Sequence, residues 1–174
     1  WLPMLAGAVT FDETTQSLPL GRVMQVFEDV GGEATLADVT ARDELFKPHT
    51  KDTLNEGYSH SAFWIKVDLH YQPQDPQVHR TWLLELAYPP LDSIELYLAD
   101  AAGNYRLAER TGDALPFDSR QIKENNYLFE LNFTPGQNQT LYLRLASQGS
   151  VQAPLTLWSA QAYLEEQPVR IYIL

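Results

Sequence analysis

Residues 80–100 read RTWLLELAYPPLDSIELYLAD, and few folds accommodate such a stretch. Before Pro89, Trp82, Leu84 and Leu86 occupy alternate positions, with Leu83 and Glu85 between them. After Pro90, Ile94, Leu96 and Leu98 do the same around Glu95 and Tyr97. A period of two sends alternate side chains to opposite faces of a sheet. The two prolines hold φ and remove ladder donors, so regular pairing stops between the runs. The expectation is two central strands of an antiparallel β-sandwich or jelly roll, an all-β fold with one or two short helices.

The same period recurs along the chain. In residues 62–71, Phe63, Ile65, Val67, Leu69 and Tyr71 share one face, with Trp64, Lys66, Asp68 and His70 on the other. Residues 127–133 place Tyr127, Phe129, Leu131 and Phe133 inward, and residues 141–145 put Tyr142 and Arg144 on the far face. Shorter strands are expected over 22–28, 105–109 and 155–158. Thr35, with Asp38 three residues on, has the spacing of a helix N-cap and predicts a short helix to about Leu45, ended by Phe46-Lys47-Pro48. A second short helix is expected over 159–167, and loops over 49–57, 72–79, 111–120 and 148–153. Eight or nine short strands separated by turn signals fit a sandwich or jelly roll.

With 174 residues the chain is long enough for one domain with a substantial core. Its formal net charge of −11 opposes binding to nucleic acid and to anionic lipid. It has no cysteine, which removes disulfides, thiolate metal sites and a cysteine nucleophile. Residues 1–8, WLPMLAGA, are apolar and end in Ala6-Gly7-Ala8, the form that closes a secretory signal peptide. They are expected to be its remnant, the alternative being an ordinary apolar segment. The folded domain is then residues 9–167. Residues 168–174, apolar beyond Pro168 apart from Arg170, have the character of the start of a transmembrane helix.

No phosphate loop, G-x-S-x-G, H-E-x-x-H or C-x-x-C motif occurs, and no cofactor is implied. His49, His60, His70 and His79 lack metal-ligand spacing. Asp113 and Asp118 are a nominal acid pair with nothing to set them across a substrate, and Asn138-Gln139-Thr140 matches a glycosylation sequon. The polar faces of the strands are more informative. Trp64 with Lys66, Glu85, Glu95 with Tyr97, and Tyr142 with Arg144 form one surface if their strands are neighbours. Aromatic plates beside charged hydrogen-bonding groups suit a small polar ligand such as a sugar. The other reading is that Trp64 and Tyr97 pack under a loop or the Thr35 helix, with Arg144 paired to a carboxylate. Asp113 and Arg120 either shape the rim of a pocket or bond back into their own loop. The candidate ligand-contact residues are Trp64, Tyr97, Glu95, Arg144, Arg120 and Asp113.

Four pieces, GYSHSAFWIKVDL, WLLELAYPPLDSIELYLAD, the GD-x-LPF-x-x-R of residues 112–120, and YLRLASQGSVQAPLTLW, resemble in their order the extracellular domain 2 of 7TMR-DISM receptors. The resemblance covers roughly residues 16–164, and Trp64, Asp92, Tyr97, Gly112, Asp113, Arg120, Arg144 and Pro154 sit at its defining positions. It implies a β-sandwich similar to carbohydrate-binding modules, lying in the bacterial periplasm between a signal peptide and seven membrane helices. Cytoplasmic histidine kinase or diguanylate cyclase modules, some in two-component systems, would carry the output. The expected function is a non-enzymatic ligand-sensing domain of an inner-membrane receptor, taking a small polar or carbohydrate-like ligand. Its own transmembrane bundle, a second copy or another sensor protein are the expected macromolecular partners. The alternative is a ligand-free interaction or dimerisation module.

Overall fold

The computed structural model describes residues 7–120 and 126–166. The expected signal-peptide remnant and the expected start of a membrane helix fall almost wholly outside these residues. Thirteen strands are present among the described residues: β1 Val9–Phe11, β2 Ser17–Pro19, β3 Gln25–Asp29, β4 Lys47–Pro48, β5 Leu54–Tyr58, β6 Ala62–Tyr71, β7 Trp82–Leu86, β8 Ser93–Ala99, β9 Tyr105–Thr111, β10 Tyr127–Leu131, β11 Asn138–Ala146, β12 Ser150–Ala153 and β13 Leu155–Ser159. Two helices, α1 Leu36–Ala41 and α2 Ala160–Glu166, join them.

The strands build a mostly antiparallel sandwich. One sheet runs β4-β3-β6-β11-β8-β9, with β1 added in parallel to the end of β6. The facing sheet runs β10-β7-β13-β2, and β12 pairs with β5 in a small third sheet. Between the two large sheets lie Phe63, Ile65, Val67 and Leu69 of β6, Trp82, Leu84 and Leu86 of β7, Ile94 and Leu96 of β8, and Phe129 and Leu131 of β10. These are the alternating apolar positions of the sequence. Burying them in one dry layer stabilises each side chain by roughly 1.5–3 kcal/mol.

β7 and β8 are both interior strands, but they belong to different sheets. The Pro89-Pro90 segment therefore carries the chain from one layer to the other. Leu91 is buried behind it, and the Tyr127 hydroxyl donates to the Pro89 and Leu91 carbonyls (2.6 and 3.1 Å).

Three local expectations need correction. Residues 20–24 form a turn, with the Val23 and Met24 amides donating to the Leu20 carbonyl, so the first strand of residues 22–28 begins only at Gln25. The Thr35 helix stops at Ala41, and a separate single turn, Asp43–Leu45, follows. The loops expected over 49–57 and 148–153 hold β5 and β12, and the Lys47-Pro48 stop is itself the short strand β4. Those strands are short, and β5 buries only Leu54, so alternation gives them no signature.

Outside the sandwich, residues 30–46 fold back across the outer face of the larger sheet. Thr35 caps α1 by accepting from the Asp38 amide (3.2 Å), while the Asp38 carboxylate accepts from the Thr35 amide (2.8 Å). Each bond satisfies a donor that the helix end would otherwise strand. Val39 and Phe46 pack from this strap onto Trp64 and Tyr142. A third small cluster joins Leu83 and Leu128, on the outer face of the other sheet, to Tyr163 of α2.

Candidate functional site

Strand register lays the outer-face residues out in rows. Phe27 of β3, Trp64 of β6, Arg144 of β11, Glu95 of β8 and Arg110 of β9 are successive cross-strand partners. The next row is Gln25, Lys66, Tyr142, Tyr97 and Leu107. Directly opposed side chains have Cβ atoms about 5 Å apart, close enough to interact. The hydrophobic half of this surface lies under the strap, and the charged half lies beyond it.

Four of the predicted ligand residues, Trp64, Tyr97, Glu95 and Arg144, meet here. Trp64 is only 1% exposed, and its ring stacks on Tyr97 with centroids 5.7 Å apart and an interplanar angle of 24°. Glu95 is 8% exposed and stands between two guanidiniums. Arg110 Nε and Nη2 donate to its Oε2 (3.1 and 2.8 Å), and Arg144 Nη1 lies 3.7 Å from its Oε1. Arg144 Nη2 also donates to the Gly32 carbonyl of the strap (3.2 Å). Burial raises the Tyr97 hydroxyl pKa above its ordinary 10.0, and the Glu95 charge and hydrogen bond add to this, against the two arginines. Tyr142, deeper under the strap, is held well above the ordinary range, first by burial and then by Tyr105, Asp43 and Asp68.

The packing reading is the one this surface realises. Trp64 packs beneath the strap and Arg144 pairs with a carboxylate. The Trp64 indole Nε1 is nevertheless buried with no partner among the described residues. A buried donor without an acceptor costs about 1–3 kcal/mol and is uncommon in folded proteins. Arg110, which no motif singles out, completes the charged row. Its only signal is a cross-strand position opposite Glu95, and that depends on pairing.

Glu85 does not share this face. It projects outward from the other sheet, where its carboxylate accepts from Asn126 Nδ2 (3.0 Å) and Trp158 Nε1 (3.2 Å). Asp113 and Arg120 also stand apart, on the loop following β9. The Asp113 amide donates to the Leu91 carbonyl (2.7 Å), and the Arg120 guanidinium lies over the rings of Tyr127 and Phe117, 4.4 and 4.9 Å from their centroids. Gly112 sits at φ +136°, where a Cβ would come within 2.1 Å of the Asp92 carbonyl oxygen. Asp92 in turn accepts from the Gln148 amide (2.7 Å). The GD-x-LPF-x-x-R motif thus wraps the crossover from β7 to β8. Among the described residues, no three His, Asp or Glu side chains group to hold a metal ion.

The family model for the 7TMR-DISM extracellular 2 domain matches residues 21–159. The chain belongs to this family. Its members are extracellular sensor domains of seven-transmembrane receptors, so this is an outside-facing domain and not a catalytic one. Among the described residues, no helix is long and apolar enough to cross a membrane. Among solved structures, TmCBM61, determined in complex with β-1,4-galactotriose, is similar at 11% identity and a TM-score of 0.41, with 84% of this chain and 99% of that one covered. No curated protein matches the chain.

Proposed function

We propose that this 7TMR-DISM extracellular domain senses a small polar, carbohydrate-like ligand at the exposed margin of the Trp64–Arg144–Glu95–Arg110 row. It would do so in the periplasm, as part of an inner-membrane receptor of the histidine kinase or diguanylate cyclase type. The observation that carries this reading is the buried Trp64 Nε1, a donor without a partner among the described residues, in line with a paired but partly open charged row. With the strap reseated to uncover Trp64, a ligand oxygen would satisfy the indole, and its hydroxyls would exchange hydrogen bonds with Glu95, Arg144 and Tyr97. Asp113 and Arg120 serve the loop that locks the crossover rather than this site.

The strap supplies the route to signalling. It touches the row through the Gly32 carbonyl and packs on Trp64 through Val39 and Phe46. A ligand that prefers one seating of the strap shifts the receptor toward the matching state by its difference in affinity for the two. A thermal-shift screen against sugars, amino acids and polyamines tests the reading. Ligand at a hundredfold excess over Kd stabilises by about 2.7 kcal/mol, and that shift should vanish in Trp64→Phe and Arg144→Ala. A shift that survives both substitutions rejects this site.

The interaction-module reading has its own support. Tyr58 is 85% exposed on β5, a strand of the small two-stranded sheet, and can pack against a partner. A concentration-dependent mass that Tyr58→Ser abolishes, together with a flat ligand screen, would favour it.

A further inference from the structure

The end of the sandwich away from Trp64 carries a cavity. Tyr71 is seven residues beyond Trp64 on the same strand, about 23 Å away at the usual rise per residue. The cavity has a volume of about 420 Å³, within the range of small-molecule sites. Trp82, Phe133 and Pro76 provide apolar walls, and His79, Arg80 and Asn132 provide polar ones. Tyr71 is 4% exposed, lines the cavity, and has a hydroxyl buried with no partner among the described residues.

The walls are built before any ligand arrives. Phe11, Tyr71, Trp82 and Phe133 pack mutually, with ring centroids 4.9–6.4 Å apart. The Gly136 amide donates to the Tyr71 carbonyl (2.8 Å), fixing the turn between β10 and β11 against β6. The loop from β6 to β7 is tied down where the Glu13 carboxylate accepts from the Gln74 and Asp75 amides (2.9 and 2.6 Å). Such preorganisation lowers the ordering cost of binding. Burial raises the Tyr71 pKa above the ordinary 10.0, with Glu13 and Asp12 adding to the rise and Arg80 opposing it, so the hydroxyl keeps its proton and can donate. Arg80 gives one N–H to Gln161 Oε1 (3.2 Å), at the neighbouring cavity that Arg80 also lines.

A larger cavity of about 540 Å³ lies on the other side of the Asn132–Thr134 segment, but its polar walls are committed to holding its own turns. Gln139 bonds the Thr134 amide and the Asn132 carbonyl, and Tyr105 donates to the Thr140 carbonyl. The Tyr71 cavity instead keeps a buried hydroxyl in reserve.

We infer that the Tyr71 cavity is a ligand site for a hydroxylated carboxylate of monosaccharide size, the chemistry of a sugar acid. The apolar ring face lies along Phe133 and Pro76, a ring hydroxyl accepts from Tyr71, and the carboxylate pairs with Arg80. The site is distinct from the Trp64 row and does not depend on it.

Calorimetric titration of the domain with glucuronate and galacturonate, with glucose and galactose as uncharged controls, tests this. At least one uronate should bind saturably and more tightly than its neutral sugar. Tyr71→Phe and Arg80→Gln should each weaken that binding tenfold or more, while Arg106→Gln, which removes an exposed arginine on β9, leaves it unchanged. No uronate binding, no preference over the neutral sugar, or binding indifferent to Tyr71→Phe overturns the inference. A urea titration supplies a check independent of any ligand. Tyr71→Phe should keep the wild-type midpoint, because the hydroxyl has no partner to lose among the described residues, and a clear drop would show it holding the fold instead.

Discussion

Trp64 and Tyr97 stack at 5.7 Å although their strands are not neighbours: β11 runs between β6 and β8, and the rings meet above it. The contact fastens three strands on the outer face, beneath a strap that the core between the sheets does not reach. Trp64→Ala should therefore cost about 3–5 kcal/mol, the range for emptying a buried aromatic site. Trp64→Phe, which keeps a ring, should cost clearly less. Urea unfolding of the two variants checks the order, and near-equal losses would mean that the stack contributes little.

Arg144 joins the strap to the charged row through the Gly32 carbonyl and Glu95. In Arg144→Ala, Glu95 retains Arg110, so a loss of about 1–2 kcal/mol is expected, with a folded protein and a small fall in Tm. Ligand binding at the row should fall at least tenfold. Global unfolding of this variant would make Arg144 an architectural residue and remove the main support for the row as a site.

Gly112 combines a close backbone approach with a positive φ. Gly112→Ala must move the Asp92 carbonyl and hold a strained φ, and should cost about 3 kcal/mol or more. Gly136 also has positive φ (+79°), but a Cβ there meets open space, so Gly136→Ala should lose only about 1–2 kcal/mol. Circular dichroism melts of the pair separate steric from conformational cost.

Thr35→Ala removes one half of a reciprocal cap, and about 1 kcal/mol should be lost. Hydrogen exchange should quicken over residues 36–46 and stay unchanged in β7 and β13. Uniform acceleration across the domain would show that the strap folds as one unit with the sandwich.

Acid sensitivity should appear at the Glu13 turn. The Asp75 and Gln74 amides lower the Glu13 pKa below its ordinary 4.5. A depressed carboxylate contributes stability above its unfolded pKa and loses it as pH falls through the folded value. Stability should accordingly decline as pH drops below 4.5, and Glu13→Gln should flatten part of that decline while matching wild type less well near neutrality. Urea midpoints across this window give the answer, and identical pH profiles would exclude Glu13 as a contributor.

The alternation around Pro89-Pro90 and in residues 62–71 determined, without the structure, where the long strands run and which side chains enter the core. The reason is local: a two-residue period and hydrophobic burial act on neighbours in the chain. The Thr35 cap was legible on the same ground, since both its bonds lie within one turn. Which strands pair is a different matter, because pairing joins residues such as Trp64, Arg144, Glu95 and Arg110 across tens of positions. Only the tertiary structure decided that β7 lies in the opposite sheet and takes Glu85 away from the row. It alone sent Asp113 and Arg120 to the crossover, folded the strap over Trp64 and enclosed the Tyr71 hydroxyl. Local period sets a side chain's face, but long-range packing selects its neighbours, and the chemistry of a site belongs to the neighbours.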